Sequence, residues 1–247
     1  MHVHYISTLS VFEPSQSDMV IDEATPLASG EFLLGGYSQS KWVSDKLAFE
    51  AHDKGIPTSI YRLGYVSGSS ENGMSNIDDT FNMIVRGCLR IKAYPEMEEF
   101  PLSPYPVNLI AEQIVKLMRS QPADANKSAA AVYHLANINP TRMADIFDWW
   151  RAKGFELESL PLHDWFESVG KTFSPSDPLF SLAAVWEEED KDAEKKGWGL
   201  QRWCSEFTSN CLSKSCAAPM PSTEQVGMLL EKQYEVLHSK CFRDAEL

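Results

Sequence analysis

A strand–helix–strand pattern near the start of the chain most constrains its fold. Residues 3–7 alternate and are β-prone, and residues 58–63 form a second β-prone run. Between them, Gly35-Gly36 opens a helix that is predicted from about residue 37 to residue 54, and Gly55 closes it. Strands that are joined through a helix pair in parallel, so the sequence predicts an α/β fold built on a parallel sheet.

The rest of the chain is predicted to be mainly helical. Turn-forming residues at 64–73 predict a loop. Apolar residues at helical spacing predict helices at 78–91, at 107–118 and after Asn139-Pro140, with a short strand at 132–136. The helix after Pro140 is expected to bury one stripe of side chains, formed by Met143, Ile146, Phe147 and Trp150. Ser222 and Gln225 form a capping box ahead of a last helix.

Charge and composition argue against several classes of function. The net charge of −13 argues against nucleic acid or an anionic membrane as a partner, because phosphate contacts need clustered Lys and Arg. No apolar run reaches the ~18–20 residues of a membrane-spanning helix, and no secretory signal is visible. The five cysteines lack paired spacing, which predicts reduced thiols in a cytoplasmic protein without a metal site.

Tyr37 and Lys41 are candidates for acid–base chemistry. Four residues apart on a helix, they share one face. An ammonium group beside a phenol stabilises the phenolate, which general acid–base catalysis near neutral pH requires. A hydroxyl at the end of the preceding strand, from Thr8 or Ser10, could then hold a carbonyl oxygen. The spacing alone is weak evidence, because a surface helix with a cation near a ring has the same pattern.

Three segments in the same order carry a family resemblance: residues 6–12, residues 36–43 and residues 61–68. They resemble the extended short-chain dehydrogenase/reductase family, and more closely the thioester reductase domains of polyketide synthases, nonribosomal peptide synthetases and carboxylic acid reductases. Four later segments also resemble the thioester reductase domains, and they lie at residues 76–79, 105–111, 132–137 and 178–180. In the second of them, Asn108 stands in place of the usual Asp. The resemblance covers nearly the whole chain.

The resemblance implies a fold and a division of the chain. The fold is a truncated Rossmann-like parallel sheet, with a mainly helical C-terminal lobe that binds substrate. Residues 1–70 are then a partial Rossmann-like catalytic segment and residues 71–247 the substrate-binding lobe, interleaved and without a clear linker.

The resemblance also implies roles for individual residues. Thr8 orients the carbonyl, Tyr37 donates the proton and Lys41 is its partner. If NADPH is used, Lys41 also contacts it, together with Leu63 and Gly64, where Leu63 replaces a frequent proline. The residues expected to contact substrate are Ser10, Tyr65, Met74 and Phe81.

The glycine-rich turn that binds the dinucleotide pyrophosphate is not found in the sequence. The nearest glycine cluster, residues 30–36, precedes the catalytic helix and comes too late in the order. We therefore expect no cofactor to be bound by this chain alone, and NADPH only if another polypeptide supplies the nucleotide half. The remaining sheet would have an exposed edge, so we expect a homo-oligomer or a partner chain to cover it.

Three functions follow from these observations. The first is a cofactor-independent enzyme that uses acid–base catalysis on a carbonyl substrate for cyclisation, for Dieckmann or aldol closure, or for a pericyclic step. The second is NADPH-dependent reductive release of a carrier-protein thioester to an aldehyde or alcohol. The third is a non-catalytic domain in which Tyr37 and Lys41 are relics. The first is preferred, on the expectation that a chain beginning at Met1 is self-sufficient.

Overall fold

The computed structural model describes two compact units. The described residues are 2–12, 21–31, 33, 35–76, 78–96, 101–102, 104–120, 130–137, 141–152, 154–195 and 232. The first unit takes its described residues from 1–67 and 103–140, and the second takes them from 68–102, 141–204 and 222–247. The predicted cap at Asn139-Pro140 and the capping box at Ser222 and Gln225 lie outside the described residues.

The helices and strands alternate along the chain. In order they are β1 (Val3–Thr8), a short 3-10 helix (Leu9–Val11), α1 (Gly35–Asp53), β2 (Thr58–Leu63), β3 (Val66–Ser67), α2 (Thr80–Ile91), β4 (Ala93–Pro95), β5 (Pro101–Leu102), β6 (Tyr105–Pro106), α3 (Val107–Ser120), β7 (Ala131–Leu135), β8 (Thr141–Arg142), α4 (Met143–Ala152), β9 (Glu158–Leu160), α5 (Leu162–Thr172) and α6 (Pro178–Lys195).

The first unit is built on a three-stranded parallel sheet in the order β1–β2–β7. In its register Thr8 of β1 lies beside Leu63 of β2, which in turn lies beside Leu135 of β7. The central strand is buried on both faces, as expected for a strand in a covered parallel sheet. The α/β fold with a parallel sheet, predicted from the sequence, is confirmed.

Local signals account for the bounds of α1. Gly35 opens the helix with a φ of 71° and Gly55 follows it with a φ of 87°, a conformation that costs other residues more than glycine. The Gly55 N–H donates to the His52 carbonyl over 2.8 Å and the Ile56 N–H donates to the Ala51 carbonyl over 3.0 Å. These bonds satisfy carbonyls at the end of the helix.

The two faces of this sheet are covered differently. On one face α1 meets polar side chains of the strands, including Ser7 and Arg62. On the other face, an apolar cluster joins the sheet to β6 and α3 and consists of Tyr61, Tyr105, Ile110 and Leu135.

Helix α3 spans Val107–Ser120, as the apolar spacing predicted. Ile110 and Gln113 are buried, whereas Val107, Val115 and Met118 are 41–43% exposed. The loop predicted at 64–73 needs correction, because Val66–Ser67 forms β3 and pairs in parallel with β6. That pairing joins residues far apart in sequence, so local turn signals could not show it.

The second unit is mainly helical and contains small strand pairs. Strand β4 pairs in parallel with β9, and β5 pairs with β8 in antiparallel orientation. The predicted stripe of α4 is confirmed, because Met143, Ile146, Phe147 and Trp150 are all buried. Helix α2 packs on α6 where Gly87 lies against Leu179 with no room for a Cβ atom. No described helix combines the length and the apolarity needed to cross a membrane.

Candidate active site

The carboxyl ends of the parallel strands bring Thr8 and Leu63 to the same edge of the sheet. In open α/β sheets this edge is where ligands bind. Gly64 follows β2 and donates its N–H to the Leu135 carbonyl of β7 over 3.0 Å. A Cβ atom at position 64 would come within 3.0 Å of the Ala136 Cβ atom, so the close approach of the two strand ends favours glycine there.

Lys41 attaches helix α1 to the strand that ends in Thr8. Its Nζ donates to the Ile6 carbonyl over 3.2 Å and lies 5.6 Å from the centroid of the Tyr5 ring. Tyr37, one turn earlier on α1, is 61% exposed. The helix therefore presents an open phenol, while the ammonium group of its partner is held against β1 two residues before Thr8.

The hydroxyl of Thr8 is engaged locally. It accepts a hydrogen bond from the Ser10 N–H and donates one to Ser10 Oγ, both over 3.2 Å, and so caps the short 3-10 helix. Thr8 is only 8% exposed, whereas Ser10 is half-buried. The carbonyl oxygen of a substrate would accept a hydrogen bond from Thr8 if it replaced Ser10 Oγ as the acceptor of the Thr8 hydroxyl. Alternatively, the Ser10 hydroxyl, which accepts from Thr8, would donate to that carbonyl oxygen.

The other predicted substrate residues are divided between the units. Tyr65 belongs to the first unit, where its carbonyl accepts from the Tyr105 N–H over 3.0 Å and its hydroxyl oxygen is buried. Met74 and Phe81 belong to the second unit. Met74 is exposed, and Phe81 is buried in the first turn of α2.

A buried ion pair in the first unit was missed by the sequence-based predictions. Arg62 Nε lies 3.1 Å from Asp45 Oδ2, and both side chains are fully buried. Ser7 donates to the same carboxylate oxygen over 2.8 Å. The one signal in the sequence is spacing: Asp45 follows Lys41 by four residues and so lies on the same side of the helix.

On the opposite face of the sheet, polar rings are kept neutral. Burial, reinforced by the nearby His2, lowers the pKa of His4, and burial raises the pKa of Tyr61. His4 Nδ1 and the Tyr61 hydroxyl lie 2.9 Å apart, and His2 stacks on His4 with 4.4 Å between ring centroids. A neutral His4 ring beside a neutral Tyr61 phenol suits packing better than proton transfer at neutral pH.

The residues that the family resemblance assigns to NADPH can be located in the described part of the chain. Of the residues that the family resemblance assigns to the nicotinamide, Leu63 ends β2 and Gly64 follows it, and Lys41 bonds to Ile6 two residues before the end of β1. Gly30, in the glycine cluster before α1, packs closely on another side chain, because a Cβ atom there would come within 3.0 Å of the Trp42 ring. That glycine makes room for the tryptophan, whose Nε1 donates to the Ala28 carbonyl over 3.2 Å. In the described part of the glycine cluster, Gly30 therefore serves the packing of Trp42 and does not fit a pyrophosphate.

Comparisons of the sequence with known proteins agree on one family of reductase domains. The NAD-binding family described as Male sterility protein matches residues 1–114. The non-canonical nonribosomal peptide synthetase FrzA of Cladobotryum sp. is 30% identical over 215 residues, which are 81% of this chain and 19% of that protein. Aldehyde reductase lnbA of Aspergillus flavus is 27% identical over 209 residues, which are 79% of this chain and 20% of that protein. The chain therefore spans about a fifth of the length of these two relatives.

A solved structure matches almost the whole chain. The terminal R domain from the myxalamid polyketide synthase–nonribosomal peptide synthetase pathway is 29% identical with a TM-score of 0.78. The match covers 98% of this chain and 59% of that domain, so the chain spans about three fifths of the solved R domain. Fold, motif order and relatives agree, and the chain belongs to the thioester reductase-like domains of the extended short-chain dehydrogenase/reductase family.

Proposed function

We propose that this chain performs acid–base catalysis on a carbonyl group of a polyketide or nonribosomal peptide intermediate. The observation that carries the proposal is the 3.2 Å hydrogen bond from Lys41 Nζ to the Ile6 carbonyl. It attaches the helix that bears Tyr37 to the strand that ends in Thr8. A proton donor and a carbonyl-holding hydroxyl are thereby carried by two elements that are joined at the site.

The proposed roles follow from the chemistry of each group. Thr8, directly or through Ser10, holds the carbonyl oxygen by a hydrogen bond. Tyr37 transfers a proton to or from the substrate, and the Lys41 ammonium stabilises the phenolate form. The exposure of Tyr37 leaves room for a large substrate, such as an acyl or peptidyl chain on a carrier protein.

The first candidate reaction needs no hydride. In an aldol closure, the phenolate removes a proton from the carbon beside a carbonyl, the new carbon–carbon bond forms, and the proton is returned to the new alkoxide. No net oxidation or reduction takes place, so no nicotinamide is consumed. This candidate requires no pyrophosphate site, and Gly30 of the cluster before α1 makes room for Trp42 instead.

The second candidate is reductive release of a carrier-bound acyl thioester to an aldehyde or alcohol. The relatives support it, because one is named an aldehyde reductase and the solved structure is a terminal R domain. NADPH supplies hydride in such a reaction, and its phosphate end would have to be held by polypeptide outside this sequence. Thr8, Tyr37 and Lys41 would keep the same roles at the oxygen atom.

We also propose that a second copy or a partner chain covers β1. Among the described residues this strand pairs only with β2, and Ile6 on it is 42% exposed. An unpaired edge with an exposed apolar side chain favours association. Analytical ultracentrifugation checks this point, and a stable monomer at all concentrations would contradict it.

The test uses a 3-oxoacyl pantetheine thioester and needs no knowledge of the natural substrate. We expect the chain alone to accelerate exchange of the α-protons for deuterium above the rate in buffer, measured by proton NMR. Tyr37→Phe should abolish the acceleration, whereas the matched variant Tyr133→Phe on β7 should retain it. Equal exchange by wild type and Tyr37→Phe would overturn the proposed role of Tyr37.

Calorimetric titration with NADPH separates the two candidates. If NADPH binds to the chain alone with micromolar affinity, the first candidate is contradicted and the second is favoured. Absence of binding together with Tyr37-dependent exchange would favour the first.

A further inference from the structure

We propose that Asp45 and Arg62 are positioning residues, whose buried ion pair holds α1 in one register against the ends of β1 and β2. This inference rests on the proposed function, because it concerns the placement of Tyr37 and Lys41 relative to Thr8. Neither residue is expected to touch substrate, since Asp45 is 0% and Arg62 is 1% exposed.

The ion pair has a directional geometry. Arg62 Nε donates to Asp45 Oδ2 over 3.1 Å, and Arg62 Nη2 approaches Asp45 Oδ1 at 3.5 Å. Two N–H groups of one planar guanidinium therefore face the two oxygens of one carboxylate. Ser7 adds a third donor to this carboxylate, over 2.8 Å. The carboxylate on α1 is thus bonded to β1 and to β2 at the same time.

The guanidinium is confined on its other sides. Arg62 Nη1 lies 3.4 Å from His134 Nε2 on β7. The ring centroids of Phe12 and Phe49 lie 4.9 Å and 5.9 Å from Arg62 Cζ. A charge that is buried between rings must stay paired, because an unpaired buried ion is strongly unfavourable. Arg62 therefore cannot leave Asp45 at low cost, and the helix cannot slide without breaking the pair.

The pair is adjacent in sequence to each part of the site. Ser7 precedes Thr8 and Arg62 precedes Leu63, and Asp45 follows Lys41 by one helical turn. Two successive turns of α1 are thereby attached to neighbouring residues of β1: Lys41 to the Ile6 carbonyl and Asp45 to the Ser7 hydroxyl. Two attachments fix both the rotation of the helix and its position along the strand.

Stability alone does not account for this arrangement. Replacing a buried ion pair with apolar residues of similar volume is often neutral or stabilising. Apolar contacts would hold α1 on the sheet but would accept several registers, whereas the bidentate pair accepts one. A displacement of about 1 Å at a catalytic group can lower the rate on the order of 100-fold.

The decisive variant is Asp45→Leu/Arg62→Met, which removes both charges and leaves no buried ion unpaired. We expect it to fold, with kcat for α-proton exchange lowered about 10- to 100-fold and KM little changed. Arg62→Lys keeps the charge but loses the planar pair of donors, so its kcat should lie between those of the double variant and wild type. Ile146→Ala, in the core of the second unit, is the control for general destabilisation and should retain kcat.

A second readout does not depend on activity. The proton–nitrogen NMR signal of the Lys41 ammonium, assigned with Lys41→Arg, reports its hydrogen bond to the Ile6 carbonyl. We expect this signal to be lost or shifted in Asp45→Leu/Arg62→Met and in Arg62→Lys. The signal of Lys46, whose Nζ lies over Trp42 on the same helix at 5.2 Å, should not change.

The two readouts separate this inference from the proposed function. An altered Lys41 signal in the variants, with no exchange activity even in wild type, would support the positioning role and contradict the proposed function. An unchanged Lys41 signal in both variants would overturn the positioning role, with or without activity. If the double variant does not fold, Arg62→Lys decides by the same criteria.

Discussion

The two faces of the sheet in the first unit are packed by opposite means. The face under α1 contains a buried ion pair with a serine and a histidine attached, whereas the face under α3 is closed by Tyr61, Tyr105, Ile110 and Leu135. The apolar face excludes water without prescribing one register. The polar face prescribes the register, and it lies under the helix that carries Tyr37 and Lys41. The difference suggests that directional contacts are placed where the chemistry needs a fixed geometry.

The largest effect is expected when one partner of the buried ion pair is removed and the other is kept. Arg62→Met leaves the Asp45 carboxylate buried without its counter-ion, so we expect the free energy of unfolding to fall by about 3–5 kcal/mol. Urea denaturation followed by circular dichroism measures it. The matched control is Lys54→Met, which breaks the exposed pair with Glu50 and should leave the urea midpoint unchanged. A loss of less than about 1 kcal/mol in Arg62→Met would remove the contrast between the faces.

A somewhat smaller effect is expected from a cavity in the apolar face. Leu135 is fully buried, and Leu135→Ala should lower the free energy of unfolding by about 2–4 kcal/mol in the same denaturation experiment. Leu135→Met conserves volume and should cost less than about 1.5 kcal/mol. If Leu135→Met were as harmful as Leu135→Ala, the apolar face would be as sensitive to shape as the polar one.

Ser7→Ala removes a single hydrogen bond from the polar face. The carboxylate keeps its bonds to Arg62, so we expect a loss of about 1–2 kcal/mol in the free energy of unfolding. Ser44→Ala on α1 is the control, because the Ser44 hydroxyl donates to the Ser40 carbonyl of its own helix over 2.9 Å. Equal effects of the two serines would mean that Ser7 contributes nothing specific to the ion pair.

The smallest effect is a pH dependence on the face opposite α1. Burial lowers the pKa of His4 in the folded state, so the unfolded chain binds more protons between that pKa and the ordinary value of about 6.5. The stabilising contribution is present above about pH 6.5 and is lost as the pH falls through the folded pKa. We expect the urea midpoint to fall slightly less on acidification in His4→Phe than in wild type. His163→Phe, at an exposed site, is the control, and the same acid dependence in wild type and His4→Phe would contradict the prediction.

Local signals in the sequence predicted many of the elements. The bounds of α1 were predicted to within two residues from Gly35-Gly36 and Gly55, since glycine adopts positive φ at little cost. The buried stripe of α4 was predicted from spacing alone. By contrast, β3 was predicted as part of a loop, because two residues form a strand only when a distant segment pairs with them. The spacing of apolar residues predicted helix α3 but could not show that Val107, Val115 and Met118 are partly exposed, since spacing defines a face and not what covers it.

For the candidate site, the sequence determined which residue types share one helical face, and the tertiary structure decided how that helix is held. The spacing of Tyr37 and Lys41 follows from the helix, and the motif order around them was enough to predict the family. Only the parallel register of β1 and β2 brings Ser7 and Arg62 to the same carboxylate of α1. An ion pair between residues 45 and 62 depends on sheet geometry, which no spacing along one helix or strand encodes.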